Sequence, residues 1–289
     1  MTKNTSPRVW FITGTSSGLG RAIAQAALDH GDRVVATARS TDRIADLERD
    51  FADRAVALPL DVTDPDQARA AIDAAVGAFG RVDVVVNNAG YGVLGALEEL
   101  SDDELRSQFE TNLFGALQVT RAVLPQLRRQ RSGHIVQLSS LSATVANPGE
   151  SAYVGSKAAL EGVSESLAKE VAHLGIRVTI VQPGPFRTDF AGRSLQKADP
   201  IDDYADTVGA ARELIGQLDG NQPNDPTRGA EAIIRAIEST DPPLHLALGE
   251  DAIHAIRANL DDQRAELGAW AEVGGRRGSP SKFALHTPW

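Results

Sequence analysis

Residues 9–13 form a compact block of strand formers, Val-Trp-Phe-Ile-Thr, that runs straight into Gly14-Thr15-Ser16-Ser17-Gly18-Leu19-Gly20. A helical pattern then starts inside the turn. It extends from about residue 18 to 30, with Ala22, Ile23, Ala26 and Ala27 as its packing stripe and Gly31 placed to stop it. A strand with no polar alternation, a glycine turn and a helix make the first half of a β-α-β unit. Such units build parallel sheets covered on both faces by helices.

The alternation repeats along the chain. Further strands are expected over residues 33–38, 55–60, 82–86, 134–139, 177–182 and 244–248. Helical periodicity fills residues 43–51, 64–79 and 150–174. A capping box at Ser101-Asp102-Asp103-Glu104 opens a long helix that carries through Asn112 to about residue 130. Beyond residue 191 the regularity lapses until an amphipathic stretch over 202–218. Asp225 as N-cap with Pro226 behind it then starts another helix, and residues 251–270 read as one more. The pattern predicts one α/β domain over residues 1–289, doubly wound around a mostly parallel, seven-stranded sheet.

Composition narrows the function classes. A formal net charge of −10 argues against nucleic acid or an anionic membrane as partner. With no cysteines there is neither a disulfide framework nor thiolate chemistry, and the six histidines include no pair at i, i+3 or i, i+4, so no metal site is expected. No apolar run approaches the ~18 residues of a membrane span, and the N-terminal apolar block is too short for a signal peptide. A cytoplasmic, soluble protein is expected.

The glycine turn lets backbone approach a phosphate closely, and the helix behind it offers N–H donors and the positive end of its dipole. Three glycines alone are weak evidence, since many turns need only φ > 0. The same residues also match G-x-S-x-G, the nucleophile elbow of a hydrolase. That reading fails, because the elbow needs oxyanion donors from a loop after an earlier strand and only one strand precedes it.

A second constellation lies at Ser140 and Tyr153-Val154-Gly155-Ser156-Lys157. Tyr153 and Lys157 are four apart and share one helical face. A free phenol titrates near 10, and a neighbouring ammonium is expected to draw it toward neutrality. Ser140 closes the strand that ends thirteen residues earlier and can return to the same place as a second hydroxyl. Two hydroxyls and a cation suit an oxygen that must gain or lose a proton. Asn112, among Phe109, Leu113 and Leu117, is a buried amide that either packs helices, marks a kink or holds a water.

Together, Thr13-Gly14-x-x-x-Gly18-x-Gly20, Asp61, Asn87-Asn88-Ala89-Gly90, Asn112, Ser140, Tyr153-x-x-x-Lys157 and Pro183-Gly184 with Thr188 resemble the short-chain dehydrogenase/reductase family in its compact form. The segment from Tyr204 to Asp225-Pro226 is similar to the branch of 17β-hydroxysteroid dehydrogenases. The resemblance implies a Rossmann-type dinucleotide-binding domain that transfers a hydride between NAD(P)(H) and a carbonyl/alcohol pair. It implies Tyr153 as general acid/base and Ser140 as the holder of the substrate oxygen. Lys157 would lower the tyrosine pKa and bind the nicotinamide ribose, and Asn112 would hold a relay water. Gly14, Ser16, Ser17, Gly18, Leu19 and Gly20 would line the pyrophosphate and ribose. Asp61 and Val62 would flank the adenine, and Asn88, Ala89 and Gly90 would back the adenosine. Phe186 and Thr188 would fix the carboxamide, and Pro183 and Gly184 would also bind the cofactor. Residues 191–227 would close over the substrate, and a homodimer or homotetramer paired through the fourth and fifth helices is expected.

Cofactor choice in this fold is set just past the second strand. No acid stands there; Ala36-Thr37-Ala38 lead to Arg39 and Ser40, which favours NADP(H). A hydrophobic small-molecule ketone or alcohol is expected from apolar wall candidates such as Tyr91, Val93, Leu141, Phe186, Phe190 and Leu195. The tail over 274–289 is expected to dock through Phe283, Leu285 and Trp289. Two other readings compete. A non-catalytic dinucleotide sensor commonly lacks the tyrosine or lysine, both present here, and a sugar-nucleotide epimerase has a two-residue gap between its first glycines, where this chain has three.

Overall fold

A computed structural model describes residues 7–275 of the chain. The tail anchors Phe283, Leu285 and Trp289 lie outside the described residues. Strand β1 (Val9–Thr13) leads through the glycine turn into helix α1 (Gly18–Asp29), followed by β2 (Arg33–Ala38), α2 (Ala45–Asp50) and β3 (Ala55–Pro59). Next come α3 (Pro65–Phe79), β4 (Val84–Asn87), the short β5 (Gly92–Leu94), α4 (Asp102–Phe109), α5 (Ala116–Gln130) and β6 (Gly133–Leu138). The second half holds α6 (Ser151–Val171), β7 (Ile176–Pro183), β8 (Leu195–Lys197), α7 (Ala210–Leu218), α8 (Pro226–Glu238), β9 (His245–Leu248) and α9 (Glu250–Gly274).

Seven strands form one sheet in the order β3-β2-β1-β4-β6-β7-β9, and every pairing in it is parallel. Trp10 and Ile12 of β1 point into the apolar layer shared with α1 and α8. Phe11 points the other way, into the layer under α3, α5 and α6. All three are fully buried, each contributing roughly 1.5–3 kcal/mol from apolar surface removed from water. The indole N–H of Trp10 is satisfied by Asp32 Oδ2 at 2.8 Å. Strand order reverses beside β1, between β2 and β4. That switch opens a crevice at the carboxyl ends of the strands, where this fold class binds its ligands.

The helix boundaries follow their caps. Asp64 accepts from the N–H groups of Asp66 and Gln67 with Pro65 behind it, and Gly80 (φ 77°) ends α3. Asp225 and Pro226 open α8 in the same way, and the Ser101–Glu104 capping box closes as expected. The expected single helix from residue 101 to 130 is interrupted by a π turn, Glu110–Gly115, with Asn112 inside it. Residues 202–218 are also broken, into a 3-10 turn and a π turn before α7.

A second, two-stranded parallel sheet joins β5 to β8, with Gly92 opposite Leu195 and Leu94 opposite Lys197. Neither strand was expected, because three residues are too few to show a period. No helix among the described residues is long and apolar enough to cross a membrane.

Candidate active site

The glycine turn is held from behind by side chains. Thr13 Oγ1 accepts from the N–H groups of Asn88 and Ala89, both at 3.0 Å. Asn88 Nδ2 donates to the carbonyls of Thr13 and Gly14 at 2.9 and 3.0 Å. Thr15 closes the other side, with its N–H and Oγ1 both directed to Thr37 O at 3.0 and 3.1 Å. A Cβ on Gly14 (φ 71°) would sit 2.9 Å from Ala89 Cα, and one on Gly20 would sit 2.6 Å from Gly14 O. The first and third glycines are therefore required by packing inside the protein. Gly18 (φ 63°) faces Thr188, whose Cβ would be 3.5 Å from an added Cβ. The turn after β7 thus reaches the turn after β1.

The residues present fit the pyrophosphate of a dinucleotide. Ser17, the N-cap residue of α1, makes no side-chain capping bond, and the first turn of the helix carries no acid. Its N–H groups can then serve an anion, with the helix dipole behind them. Ser16, Ser17 and Leu19 are part-exposed along this edge. Arg39 is exposed at the end of β2 and makes no ion pair among the described residues.

Several of the expected cofactor residues also make contacts within the protein. Asp61 Oδ1 accepts from Thr63 N and Oγ1 at 3.0 and 2.7 Å, which pins the turn between β3 and α3. Val62 is buried against Gly115, where an added Cβ would come within 2.6 Å of it. The Phe186 ring lies in the apolar layer with α1 and α8, filling the space left by Gly229, so it is not a wall of the substrate site. Val93 is buried as well. Pro183 and Gly184 close β7, with Asp251 packed so tightly on Gly184 that no side chain fits there.

Around Tyr153 the chain converges from four elements. Lys157, one helical turn on along α6, is buried and donates from Nζ to Leu138 O at 2.6 Å. Ser140 is buried at the end of β6, its Oγ accepting from Ser142 N at 3.0 Å. Asn112 Oδ1 accepts from Tyr91 N at 3.1 Å, and its Nδ2 donates to Tyr91 O and Ser156 Oγ at 2.9 and 3.2 Å. An added Cβ on Gly90 would lie 3.0 Å from Asn112 Oδ1 and 3.6 Å from Lys157 Nζ, so these three residues meet at one point. The Phe190 ring stands 5.5 Å from that of Tyr153, tilted by 52°.

Burial pushes the Tyr153 phenol up to about 12, with the Ser140 hydroxyl acting in the other direction. Burial also brings Lys157 down to about 8, opposed by the Glu161 carboxylate four residues on. The ammonium lies 5.9 Å from the tyrosine ring centroid. The expected lowering of the phenol is therefore reversed in the protein itself, because loss of solvent around the phenolate outweighs its neighbours.

Sequence reasoning missed several contributors. Gln108 is wholly buried. It accepts from Val93 N at 2.8 Å and donates to Tyr91 O at 2.5 Å, sharing the Tyr91 backbone with Asn112. An amide four residues before Asn112 on the same apolar face was the available signal. Glu161 is a buried carboxyl that takes both 3.1 Å contacts from Gln182 Nε2. Burial pushes it up, opposed first by the Ser139 hydroxyl, although Ser139 Oγ reaches no bonded geometry.

A doubly wound parallel sheet with a glycine turn at its switch point, and a Tyr-Lys pair one strand away, defines a dinucleotide-dependent α/β enzyme. The chain belongs to the short chain dehydrogenase family, whose sequence profile matches residues 8–199. It is 44% identical over 267 residues to Oxidoreductase BOA17 of Botryotinia fuckeliana, covering 92% of this chain and 97% of that protein. A short-chain dehydrogenase from Streptomyces avermitilis superposes with a TM-score of 0.89 at 44% identity, covering 96% of this chain and all of the other. An alcohol dehydrogenase from Thermococcus sibiricus, complexed with 5-hydroxy-NADP, gives a TM-score of 0.70 at 27% identity, over 84% and 96% of the two chains. The protein is an NAD(P)-dependent oxidoreductase acting on a CH–OH/C=O pair in a small molecule.

Proposed function

We propose that this enzyme reduces a hydrophobic ketone or aldehyde, with NADP(H) as its preferred cofactor and Tyr153 as the proton donor. One observation carries the reading: at the open end of the sheet the part-exposed Tyr153 phenol stands beside the buried Ser140 hydroxyl and the buried Lys157, whose Nζ lies 5.9 Å from the ring centroid, and burial pushes the phenol up to about 12. Such a phenol is protonated throughout the physiological range, which suits donation to a carbonyl oxygen. When bound, the cofactor supplies the hydride to the carbonyl carbon. Tyr153 gives its proton to the carbonyl oxygen, and Ser140 Oγ donates a hydrogen bond to that same oxygen. Lys157 keeps positive charge beneath the tyrosine as the proton leaves, favouring the phenolate that forms. Asn112 acts through the Tyr91 backbone and Ser156, fixing the wall opposite Lys157.

The NADP(H) preference rests on Arg39 and on the lack of any acid from Ala36 to Ser40. A guanidinium there can meet the 2′-phosphate in two parallel bonds. The hydrophobic substrate rests on Phe190, whose ring stands against Tyr153, and on Leu195, which packs with Phe190 on Gly92. In this reading residues 191–227 form the substrate cover. Assembly as a homodimer or homotetramer is supported by Phe114, 47% exposed on the face that also carries Leu105 and Phe109.

The test is a panel of ketones and aldehydes of rising chain length, followed by absorbance of NADPH and of NADH. Turnover of longer apolar ketones with NADPH is expected. Absence of turnover with every carbonyl and both cofactors would sink the proposal.

A further inference from the structure

Glu99 is an acid in the loop after β5, and its side chain is 1% exposed. A buried carboxylate is costly unless donors surround it. Here three converge from separate parts of the chain. Oε1 accepts from Ile201 N at 2.8 Å. Oε2 accepts from Ala96 N and from Arg212 Nη2, both at 2.7 Å. Arg212, 15% exposed, uses the same nitrogen to reach Ala198 O at 3.0 Å. Ala96 belongs to the β5 loop, whereas Ile201 and Arg212 belong to the segment over the site.

The same two regions meet on either side of this node. Gly92 N donates to Ser194 O at 2.9 Å, and Ala198 N donates to Leu94 O at 3.0 Å. Val208 fills the space beside Gly149 and Leu94. At the root of the segment, the Phe190 ring rests on Tyr153. The backbone ladder is short and part-exposed on the β8 side, with Val208 and Ala198 as the buried apolar contacts of the segment beside it. The Glu99 carboxylate and its ion pair with Arg212 add a charge-assisted contact between body and segment, with the Glu99 side chain covered by its partners.

We propose that Glu99 is a positioning residue, fastening residues 191–227 to the β5 loop so that the cover keeps its place over Tyr153. This rests on the carbonyl-reductase reading of the site. The bond from Ile201 N holds the Glu99 carboxyl below its ordinary range, so it stays ionised and accepts only. That feature makes glutamine a poor substitute. Its amide group would have to face one of three donors, and the partner it displaces is left without an acceptor.

Hydrogen exchange on the full-length protein, with Glu99→Ala and Glu99→Gln, tests the proposal. Exchange at Ala198 and Ile201 should rise at least tenfold while β1, β4 and β6 keep their wild-type rates. With a turned-over ketone, KM should rise about tenfold and kcat should fall by less than threefold. Arg212→Met, which spares both backbone bonds to Glu99, should give an intermediate change, and it carries the test if Glu99→Ala does not fold. Unchanged exchange in the cover, exchange that rises equally everywhere, or faster exchange with KM unmoved would each overturn the proposal. A wild-type protein that reduces no carbonyl would fail the functional reading instead, while the exchange comparison would still decide whether Glu99 fastens the cover.

Discussion

Lys157 Nζ donates to the carbonyl oxygen of Leu138 at 2.6 Å, tying the second turn of α6 to the last residue of β6. Ser139 and Ser140 follow immediately, so the bond sets Tyr153, four residues before Lys157, against the strand end that carries Ser140. Along α6 the next turn places Glu161 below the lysine, itself held by Gln182 of β7. The ammonium is thus fixed by a neutral carbonyl and supported by a carboxylate, in a place where water is scarce.

That arrangement stores a stability cost with a defined pH window. The lysine falls from 10.5 to about 8 in the folded protein, and at about 1.4 kcal/mol per pK unit the gap corresponds to roughly 3 kcal/mol. Below pH 8 it is charged in both states and the full cost applies. Between 8 and 10.5 the unfolded chain holds more protons, so stability rises with pH and the cost disappears. Lys157→Met should therefore be inactive yet more stable than wild type at pH 7, with the difference closing by pH 10.5. Urea unfolding at pH 7 and 10 reads this directly, and a lower midpoint for the variant at pH 7 would refute it.

The same ionisation should mark the activity profile. If the ammonium is needed when Tyr153 yields its proton, reduction should be level through neutrality and decline above about 8. A kcat/KM that stays level to pH 10 would remove Lys157 from that role.

Tyr153→Phe removes one hydroxyl and leaves the ring contact with Phe190 available. General acid catalysis of this kind contributes about 10²–10⁴-fold, and kcat should fall by that factor. Cofactor affinity, measured by fluorescence titration, should change little. Retention of most of the wild-type kcat would show that another group delivers the proton.

Arg39→Ala should erase the preference for NADPH while leaving the NADH rate nearly unchanged. A charge-assisted contact of about 1.5–3 kcal/mol corresponds to roughly ten- to a hundredfold in kcat/KM. Steady-state rates with the two cofactors measure it, and an NADH preference in the wild-type enzyme would count decisively against the assignment.

Thr13→Val keeps shape and removes the hydroxyl that receives the N–H groups of Asn88 and Ala89. Two part-buried donors then lose their acceptor, at about 1–3 kcal/mol each. The variant should lose several kcal/mol of stability, and its cofactor affinity should weaken because the glycine turn leans on Asn88. Thermal unfolding within a degree of wild type would mean that water replaces the hydroxyl.

Periodicity and turn chemistry by themselves determined the seven long strands and the helices between them. These signals are local: a run of β-branched residues, an Asp-Pro cap at residues 64 and 225, a capping box at Ser101. The Tyr153–Lys157 spacing was legible for the same reason, since four residues on a helix fix a shared face whatever surrounds it. What only the tertiary structure decided depends on partners far away in the chain. β5 and β8 are three residues each and exist because Gly92 meets Leu195. Glu99 looks like a solvated acid until Ile201 and Arg212 arrive, and Phe186 looks like a pocket wall until Gly229 makes room for its ring. The phenol shows the limit most plainly. Its neighbour in sequence predicts a lower pKa, but the sign is set by how much water the fold removes, and no short stretch of sequence carries that quantity.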